Sequence, residues 1–267
     1  MSLFHYTDAA AVLSMIQNLE LWLTDIRFMN DSEESIDGAN YLVEAIQEQN
    51  SPLRLHSDLA GEQLRGFSAQ DVMDGLVDEH AFICSFSKTP DHLVQWRSYG
   101  LYAIELSQAA FFDLGPIHDC IYDVQEKKAA ARAQVESTRR GLQAAFDVGY
   151  IASSVPVEEL MWKLADVAHR FKHPSFKDEN ESRMIRLVSS NSNQVSYRVR
   201  GDQVIPFLKI KFLLRHVVAI HVGPMKHQDL AVASMKSFIQ NFELNNTEGR
   251  LSRPIQVIPS AIPYRKL

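Results

Sequence analysis

Four strand-like runs follow one another between Glu181 and Gly223, with no helical segment between them. They read ESRMIRLVS, VSYRVR, FLKIKFLL and VVAIHVG. Two long helical segments, at about 125–147 and 156–171, precede them as a pair. Strands that come in groups, with helices that do not alternate regularly between them, indicate an α+β fold and argue against a doubly wound sheet.

The rest of the chain mixes shorter elements. Strands are predicted at Leu3–Tyr6, Leu19–Leu23 and Ala81–Ser87, and Thr7-Asp8 offers an N-cap for the helix after the first strand. A helix near 226–242 and a last strand, PIQVIPS, close the chain. We expect a single domain over 1–267 with a helical insertion around 125–171.

Composition places the chain among ordinary globular proteins, because 267 residues with 46% hydrophobic and 22% charged side chains can bury a full core. No apolar run approaches the roughly 20 residues of a membrane span, and no basic-then-apolar leader opens the sequence. We therefore expect a cytoplasmic protein without membrane contact. Cys84 and Cys120 have no paired spacing, so both are interpreted as small buried residues.

Charge is distributed unevenly along the chain. Residues 1–160 carry a net charge of −15 and residues 161–267 a net charge of +9. The basic part could face the phosphates of a nucleotide or a nucleic acid. The alternative is a set of solvated strands whose lysines and arginines point outward.

Several familiar sites are missing from the sequence. It contains no G-x-G-x-x-G, no phosphate loop G-x-x-x-x-G-K and no G-x-S-x-G. His169 and His173 are four residues apart, but Pro174 interrupts their helix and no H-E-x-x-H pattern surrounds them. No metal is expected.

Polar residues in otherwise apolar strands and tight loops are the candidates for chemistry. They are His5, Tyr6 and Thr7; Arg27 with Asn30 and Asp31; Ser85 and Ser87; Trp96 and Tyr99; and Glu179 and Glu181 with Arg183. Where the chain is extended, side chains at i and i+2 point the same way, which would put the two serines together and the two glutamates together.

Each group also has a purely structural interpretation. His5 could be a hydrogen-bonded core histidine, and Trp96 and Tyr99 could be a packed helix face. Asn30 and Asp31 could cap the next helix. Glu181 and Arg183 could be a surface ion pair. The sequence alone leaves these alternatives open.

The order and spacing of five segments resemble the bacterial domain of unknown function 2971 family along nearly the whole chain. The segments are FHYT…LWLTDIRFMND, FICSFS…DHLVQWRSYG, FKDENESRMIRL, IHVGP and VIPSAIPYR. The name of that family implies no reaction.

A more distant resemblance does imply one. The H-Y-T start, the strand FICSFS and Glu179-Asn180-Glu181 are similar to the opening tripeptide, the S-T-S strand and the E-x-E motif of the ADP-ribosyltransferase-like superfamily, although Phe86 replaces the middle threonine. The resemblance implies a split antiparallel β-sheet core with helical insertions, and NAD held in its cleft as a substrate.

The same resemblance implies roles for the candidate residues. Glu181 would hold the ribose 2′-hydroxyl near the oxocarbenium charge, and Glu179 would orient or deprotonate the acceptor. The other expected NAD contacts are His5 on the adenosine ribose, Thr7 on the nicotinamide amide, Tyr6 or Trp96 stacked on a ring, Arg27 on the pyrophosphate, Ser85 and Ser87 on the cleft floor, and Asn30 and Tyr99.

The expected function is transfer of ADP-ribose from NAD to a macromolecule, either nucleic acid or protein, by a bacterial toxin or antiviral phage-defence effector. Hydrolysis of NAD is the nearest variant. Two alternatives stay open: a non-catalytic nucleotide-binding module, and a protein that docks an antitoxin or another defence partner.

Overall fold

A computed structural model describes residues 2–29, 32–49, 58–74, 79–189, 192–245 and 253–264. The strands are β1 Leu3–Thr7, β2 Glu20–Asp25, β3 Glu79–Ser87, β4 Tyr102–Leu106, β5 His118–Asp119, β6 Glu181–Ser189, β7 Val195–Arg200, β8 Gln203–Lys211, β9 Val217–Val222 and β10 Gln256–Pro259. The helices are α1 Ala9–Asn18, α2 Ser32–Gln49, α3 Leu59–Arg65, α4 Ala69–Asp74, α5 Leu93–Tyr99, α6 Ala110–Leu114, α7 Val124–Asp147, α8 Val155–Ala168 and α9 Gln228–Asn245. Short 3₁₀ helices cover Ile26–Phe28, Pro174–Glu179 and Leu214–His216.

The fold is mixed α/β, and the described strands form one mixed sheet. Its main order is β10-β9-β4-β1-β3-β2-β8-β7, with β6 beside β3 and β5 beside β6. The strands and long helices named from the sequence are confirmed, whereas α6 and β5 were not predicted. The sheet is mixed rather than antiparallel throughout, because β10 runs parallel to β9. The helix α9 lies between these two strands in the chain and provides the long crossover that a parallel pair requires.

The strand β3 joins two diverging parts of the sheet. Its whole length, from Glu79 to Ser87, pairs with β6. Its pairing with β1 is limited to Ser87 opposite Phe4, and its pairing with β2 to Phe82 and Ile83. Since a strand has two edges and β6 occupies one, β1 and β2 share the other. The sheet is therefore open beside Cys84, Ser85 and Phe86.

One hydrophobic core lies against the sheet. It joins buried residues of α1 and α9 to apolar side chains of β2, β3, β4 and β9. Phe82, Cys84 and Phe86 of β3 belong to this core, so this face of β3 is anchored on both sides of the opening. The expectation that Cys84 and Cys120 are buried is confirmed, and neither forms a disulfide.

A second core is built mainly from helices, with Phe67 and Phe171 added from the adjoining loops. The long helices α7 and α8, which form most of the predicted insertion, pack against α2 and α3 through buried aliphatic side chains. Gly38 of α2 lies so close to the backbone of Ala168 that a Cβ atom there would overlap its carbonyl oxygen. None of the described helices combines the length and the apolarity that crossing a membrane requires.

Gly100 fixes the entry of the chain into β4, and we expect Gly100→Ala to lower the free energy of unfolding by about 3 kcal/mol. Its φ of 129° is a conformation that side chains rarely adopt, and a Cβ atom would overlap the carbonyl oxygen of Thr7. Chemical denaturation measures the change.

Gly201→Ala is the matched control, because Gly201 also has a positive φ, 59°, but no atom lies within 4 Å of an added Cβ. We expect a loss of only about 1 kcal/mol there. Equal losses in the two variants would contradict the importance of the contact with Thr7.

Candidate active site

The opening beside β3 contains a cavity of about 530 Å³, within the range of about 300–1,000 Å³ that small-molecule sites occupy. Eight of the residues predicted from the sequence line it: His5, Tyr6, Thr7, Ser85, Ser87, Tyr99, Glu179 and Glu181. They come from β1, β3, α5 and the region where β6 begins, so the topology brings residues far apart in the sequence to one site.

His5 crosses the opening and is held by the backbone of β3. Its Nδ1 lies 2.8 Å from the carbonyl oxygen of Ser85. Because a carbonyl can only accept, Nδ1 carries the proton and Nε2 is left as an acceptor. Burial lowers the pKa of His5 below its ordinary value of 6.5, against the opposing effect of the bond to Ser85, so the ring is neutral at pH 7.

His5 and Glu181 lie on opposite faces of the sheet. Phe4, Ser87 and Glu181 are directly paired across three strands and so share a face, which places His5 on the other face, beside Phe86. Both side chains line the same cavity because the sheet is open between β1 and β2.

Two glutamates at the start of β6 share one buried cation. Lys172 Nζ lies 2.7 Å from Glu179 Oε2 and 2.5 Å from Glu181 Oε2. Arg183 Nε donates to Glu181 Oε1 at 2.7 Å. All four side chains are 7% exposed or less, so the charges attract each other with little screening by water.

The geometry that joins the glutamates differs from the one expected. An extended chain was predicted through Glu179, Asn180 and Glu181, but Glu179 ends a 3₁₀ helix and Asn180 adopts a left-handed conformation with φ 45°. Asparagine tolerates this conformation better than most residues do. The two carboxylates meet through Lys172 rather than through the alternation of a strand.

Glu181 is ionised over the whole physiological range. Burial by itself would raise its pKa, but the charges of Arg183 and Lys172 outweigh burial and lower the pKa to about 2. The interpretation of Glu181 and Arg183 as a surface ion pair was wrong, since both residues are buried.

Glu179 is oriented by the cavity wall. Tyr99 donates its hydroxyl to Glu179 Oε2 at 3.3 Å, and Ser87 Oγ donates to the Glu179 carbonyl oxygen at 2.8 Å. Ser85 Oγ is buried without a hydrogen-bond partner in the described part of the chain. Ser87 thus contacts the glutamate segment directly, whereas the Ser85 hydroxyl makes no such contact.

Tyr6 and Trp96 pack on each other rather than standing apart. Their ring centroids are 4.5 Å apart, and the two side chains belong to one small buried cluster. The Tyr6 hydroxyl donates to the Thr89 carbonyl oxygen, and Trp96 Nε1 donates to Asp91. Trp96 is only 2% exposed and is not among the described residues that line the cavity, which corresponds to the packed-helix interpretation.

Arg27, the candidate for the pyrophosphate, is engaged by its neighbour Asp25. Its Nε and Nη2 donate to the two carboxylate oxygens at 3.0 and 2.6 Å, and it does not line the cavity. Asn30 and Asp31 lie outside the described residues.

Sequence reasoning missed Lys172, Arg198 and Arg200. Arg198 and Arg200 of β7 line the cavity, and their two-residue spacing in the run VSYRVR is a signal that could have identified them. Lys172 follows α8 within a loop, where nothing in the sequence indicates that its ammonium group is buried.

Cys84 lines the cavity beside His5, with Sγ 3.6 Å from Nδ1. Burial, assisted by the charge of Glu181, raises the pKa of the thiol to about 12. The pair therefore lacks the thiolate that nucleophilic catalysis needs. Within the described ranges, no three His, Cys, Asp or Glu side chains form a group that could hold a metal ion.

Comparisons of the chain with protein-family models, with curated proteins and with solved structures found no match. The two family resemblances inferred from the sequence stay predictions, as do the roles of the individual site residues.

Lys172 is expected to be the main stabilising residue of the acidic cluster, so Lys172→Met should lower the free energy of unfolding by about 3–5 kcal/mol. Removal of the cation leaves Glu179 buried beside a second carboxylate, without the ammonium group that the two share. Lys88→Met is the matched control, because the Lys88–Asp119 pair is partly exposed and contributes about 0–1 kcal/mol. Similar losses on urea denaturation would contradict this assignment.

Acid should weaken the fold through Glu181. Its pKa is about 2 in the folded protein, below the ordinary value of 4.5, so its stabilising contribution is complete above about pH 5 and is lost as the pH falls towards 2. We expect the free energy of unfolding of the native protein to fall more steeply between pH 5 and 2 than that of Glu181→Gln. Parallel curves would be incompatible with an ionised Glu181.

Proposed function

We propose that the protein is an NAD-dependent ADP-ribosyltransferase that transfers ADP-ribose to a macromolecule, with NAD hydrolysis as the nearest variant reaction. The observation that carries the proposal is that His5 of β1 and Glu181 of β6 line one cavity of nucleotide size. That cavity lies where the sheet opens beside β3, which is the kind of cleft that the resemblance to split-sheet transferases implies.

The ionisation of Glu181 suits this reaction. Cleavage of the bond between nicotinamide and ribose develops positive charge on the sugar, and a fixed carboxylate lowers the energy of that transition state. Glu181 carries its charge at neutral pH, and Arg183 and Lys172 hold it in one orientation before any substrate binds. Glu179, bonded to Lys172 and Tyr99, would orient the acceptor.

His5 suits the binding of a ribose. The bond from Nδ1 to Ser85 leaves a neutral ring whose Nε2 can accept a hydrogen bond from a sugar hydroxyl. Thr7 and Tyr99 also line the cavity and could contribute further polar contacts to NAD.

One observation favours a second candidate, a non-catalytic nucleotide-binding module. Both carboxylate oxygens of Glu181 already accept hydrogen bonds from Arg183 or Lys172, which leaves less capacity for a ribose hydroxyl. In this case the glutamates would serve as charge partners that keep the cavity in shape. Release of nicotinamide under single-turnover conditions separates the two candidates.

Membership of the domain of unknown function 2971 family, a bacterial cytoplasmic setting and a role as toxin or defence effector belong to the same proposal. They rest on the sequence resemblance. So does the possibility of an antitoxin or another defence partner. Incubation of the protein with labelled NAD and cell extract, followed by separation of protein, RNA and DNA, identifies the acceptor class.

Glu181→Gln should lower the rate of nicotinamide release at least about 100-fold, because it removes the negative charge beside the developing oxocarbenium ion. The amide keeps the size of the side chain, so NAD affinity should change little. Nicotinamide is measured by chromatography and NAD binding by calorimetry. Glu159→Gln, an exposed position on α8, is the control and should keep the native rate. A native rate in Glu181→Gln would remove the catalytic assignment.

A further inference from the structure

Two arginines of β7 bring positive charge into the cavity. Arg198 and Arg200 both line it, and their spacing along the strand places their side chains on one face. No ion pair joins either of them to a carboxylate within the described residues. Two neighbouring cations without an anion repel each other, and an anionic ligand would relieve that repulsion.

Arg198 is held in place by two aromatic rings and a threonine. Its guanidinium carbon lies 5.3 Å from the ring centroid of Trp22 and 5.6 Å from that of Phe207. Its Nη2 donates to Thr24 Oγ1 at 3.0 Å. The guanidinium group is therefore oriented before any ligand arrives, which reduces the entropy lost on binding.

Most donors of Arg198 have no partner among the described residues. A guanidinium group has five N–H donors, and the bond to Thr24 uses one. Nε is buried and has no hydrogen-bond partner among the described residues. Burial and the charge of Arg200 lower the pKa of Arg198, as expected for a cation that pairs with no carboxylate in the described part of the chain.

The other cations near the cavity are already neutralised. Arg27 is engaged by Asp25, and Lys172 and Arg183 are engaged by the two glutamates. The positive charge that lacks a counter-charge in the described cavity is therefore that of β7.

We propose that Arg198 and Arg200 form a subsite that binds the phosphate esters of a nucleotide ligand. A guanidinium fork matches two phosphate oxygens, which explains why arginine rather than lysine is suited to the position. The phosphates could be the pyrophosphate of a dinucleotide such as NAD or the phosphodiesters of a nucleic-acid acceptor. The subsite does not depend on ADP-ribosyl transfer, because a non-catalytic nucleotide-binding protein would need it equally.

The test compares R198Q/R200Q with the native protein, using three probes: NAD, nicotinamide riboside as the phosphate-free analogue, and a fluorescein-labelled ten-residue oligothymidine. Calorimetry measures the first two and fluorescence anisotropy at several salt concentrations the third. The control is Lys226→Gln combined with Lys236→Gln, which likewise removes two positive charges, at exposed positions outside the cavity. Because Arg198 packs on aromatic rings, the exposed Arg200→Gln alone is measured as well, and thermal unfolding checks each fold.

We expect R198Q/R200Q to weaken the binding of a phosphate-bearing probe about 10-fold or more, and Arg200→Gln to weaken it in the same direction. Riboside affinity should stay native. Loss of NAD affinity assigns the subsite to the dinucleotide, and loss of oligonucleotide affinity with a shallower salt dependence assigns it to a nucleic acid. Affinities within twofold of native for both phosphate-bearing probes would overturn the proposal, as would an equal loss in the lysine control. Nicotinamide release is measured separately, so failure of the subsite and failure of the transferase proposal are distinguishable.

Discussion

The sharing of one edge of β3 between β1 and β2 is the constraint on which the rest of the structure depends. A strand that pairs with β6 over its whole length cannot bend freely, yet β1 and β2 must both dock on its remaining edge. The docking points, Ser87 for β1 and Ile83 for β2, leave three residues of β3 without a strand partner on this edge, although β6 pairs with them on the other. The backbone groups exposed there need other partners. His5 provides one, because its Nδ1 donates to the carbonyl oxygen of Ser85. The hydrogen bond that satisfies this backbone group therefore also places an imidazole in the cavity.

Charge compensation is the second organising feature. Two carboxylates could not stay ionised in a buried site without cations at hydrogen-bond distance. Lys172 and Arg183 supply them, and they come from a loop after α8 and from β6 itself. The helical part of the molecule and the sheet thus meet at the acidic cluster. The same cations restrict what Glu181 can do, because an oxygen that accepts two hydrogen bonds has little capacity left for a third.

The sequence predicted the elements better than their assembly. Alternating and helical periodicities are local, which is why β3, α7 and α8 could be located from Ala81–Ser87 and the two long helical segments. The parallel β9–β10 pair, the opening beside Ser85 and the burial of Lys172 depend on contacts between distant segments, and no local pattern encodes them. Arg27 shows the same limit at a single residue. Its neighbour Asp25 was visible in the sequence, but the two hydrogen bonds that the Asp25 carboxylate accepts from the Arg27 guanidinium group were not.

The thiol of Cys84 has a consequence for how the cavity behaves in a cell. Oxidants and electrophilic reagents attack the thiolate, and a thiol whose pKa is about 12 supplies almost none at neutral pH. Peroxide, nitrosating agents and maleimides should therefore leave this wall of the cavity unmodified. A pocket that opens onto a cysteine and a histidine therefore presents, in this protein, a thiol of low reactivity at neutral pH.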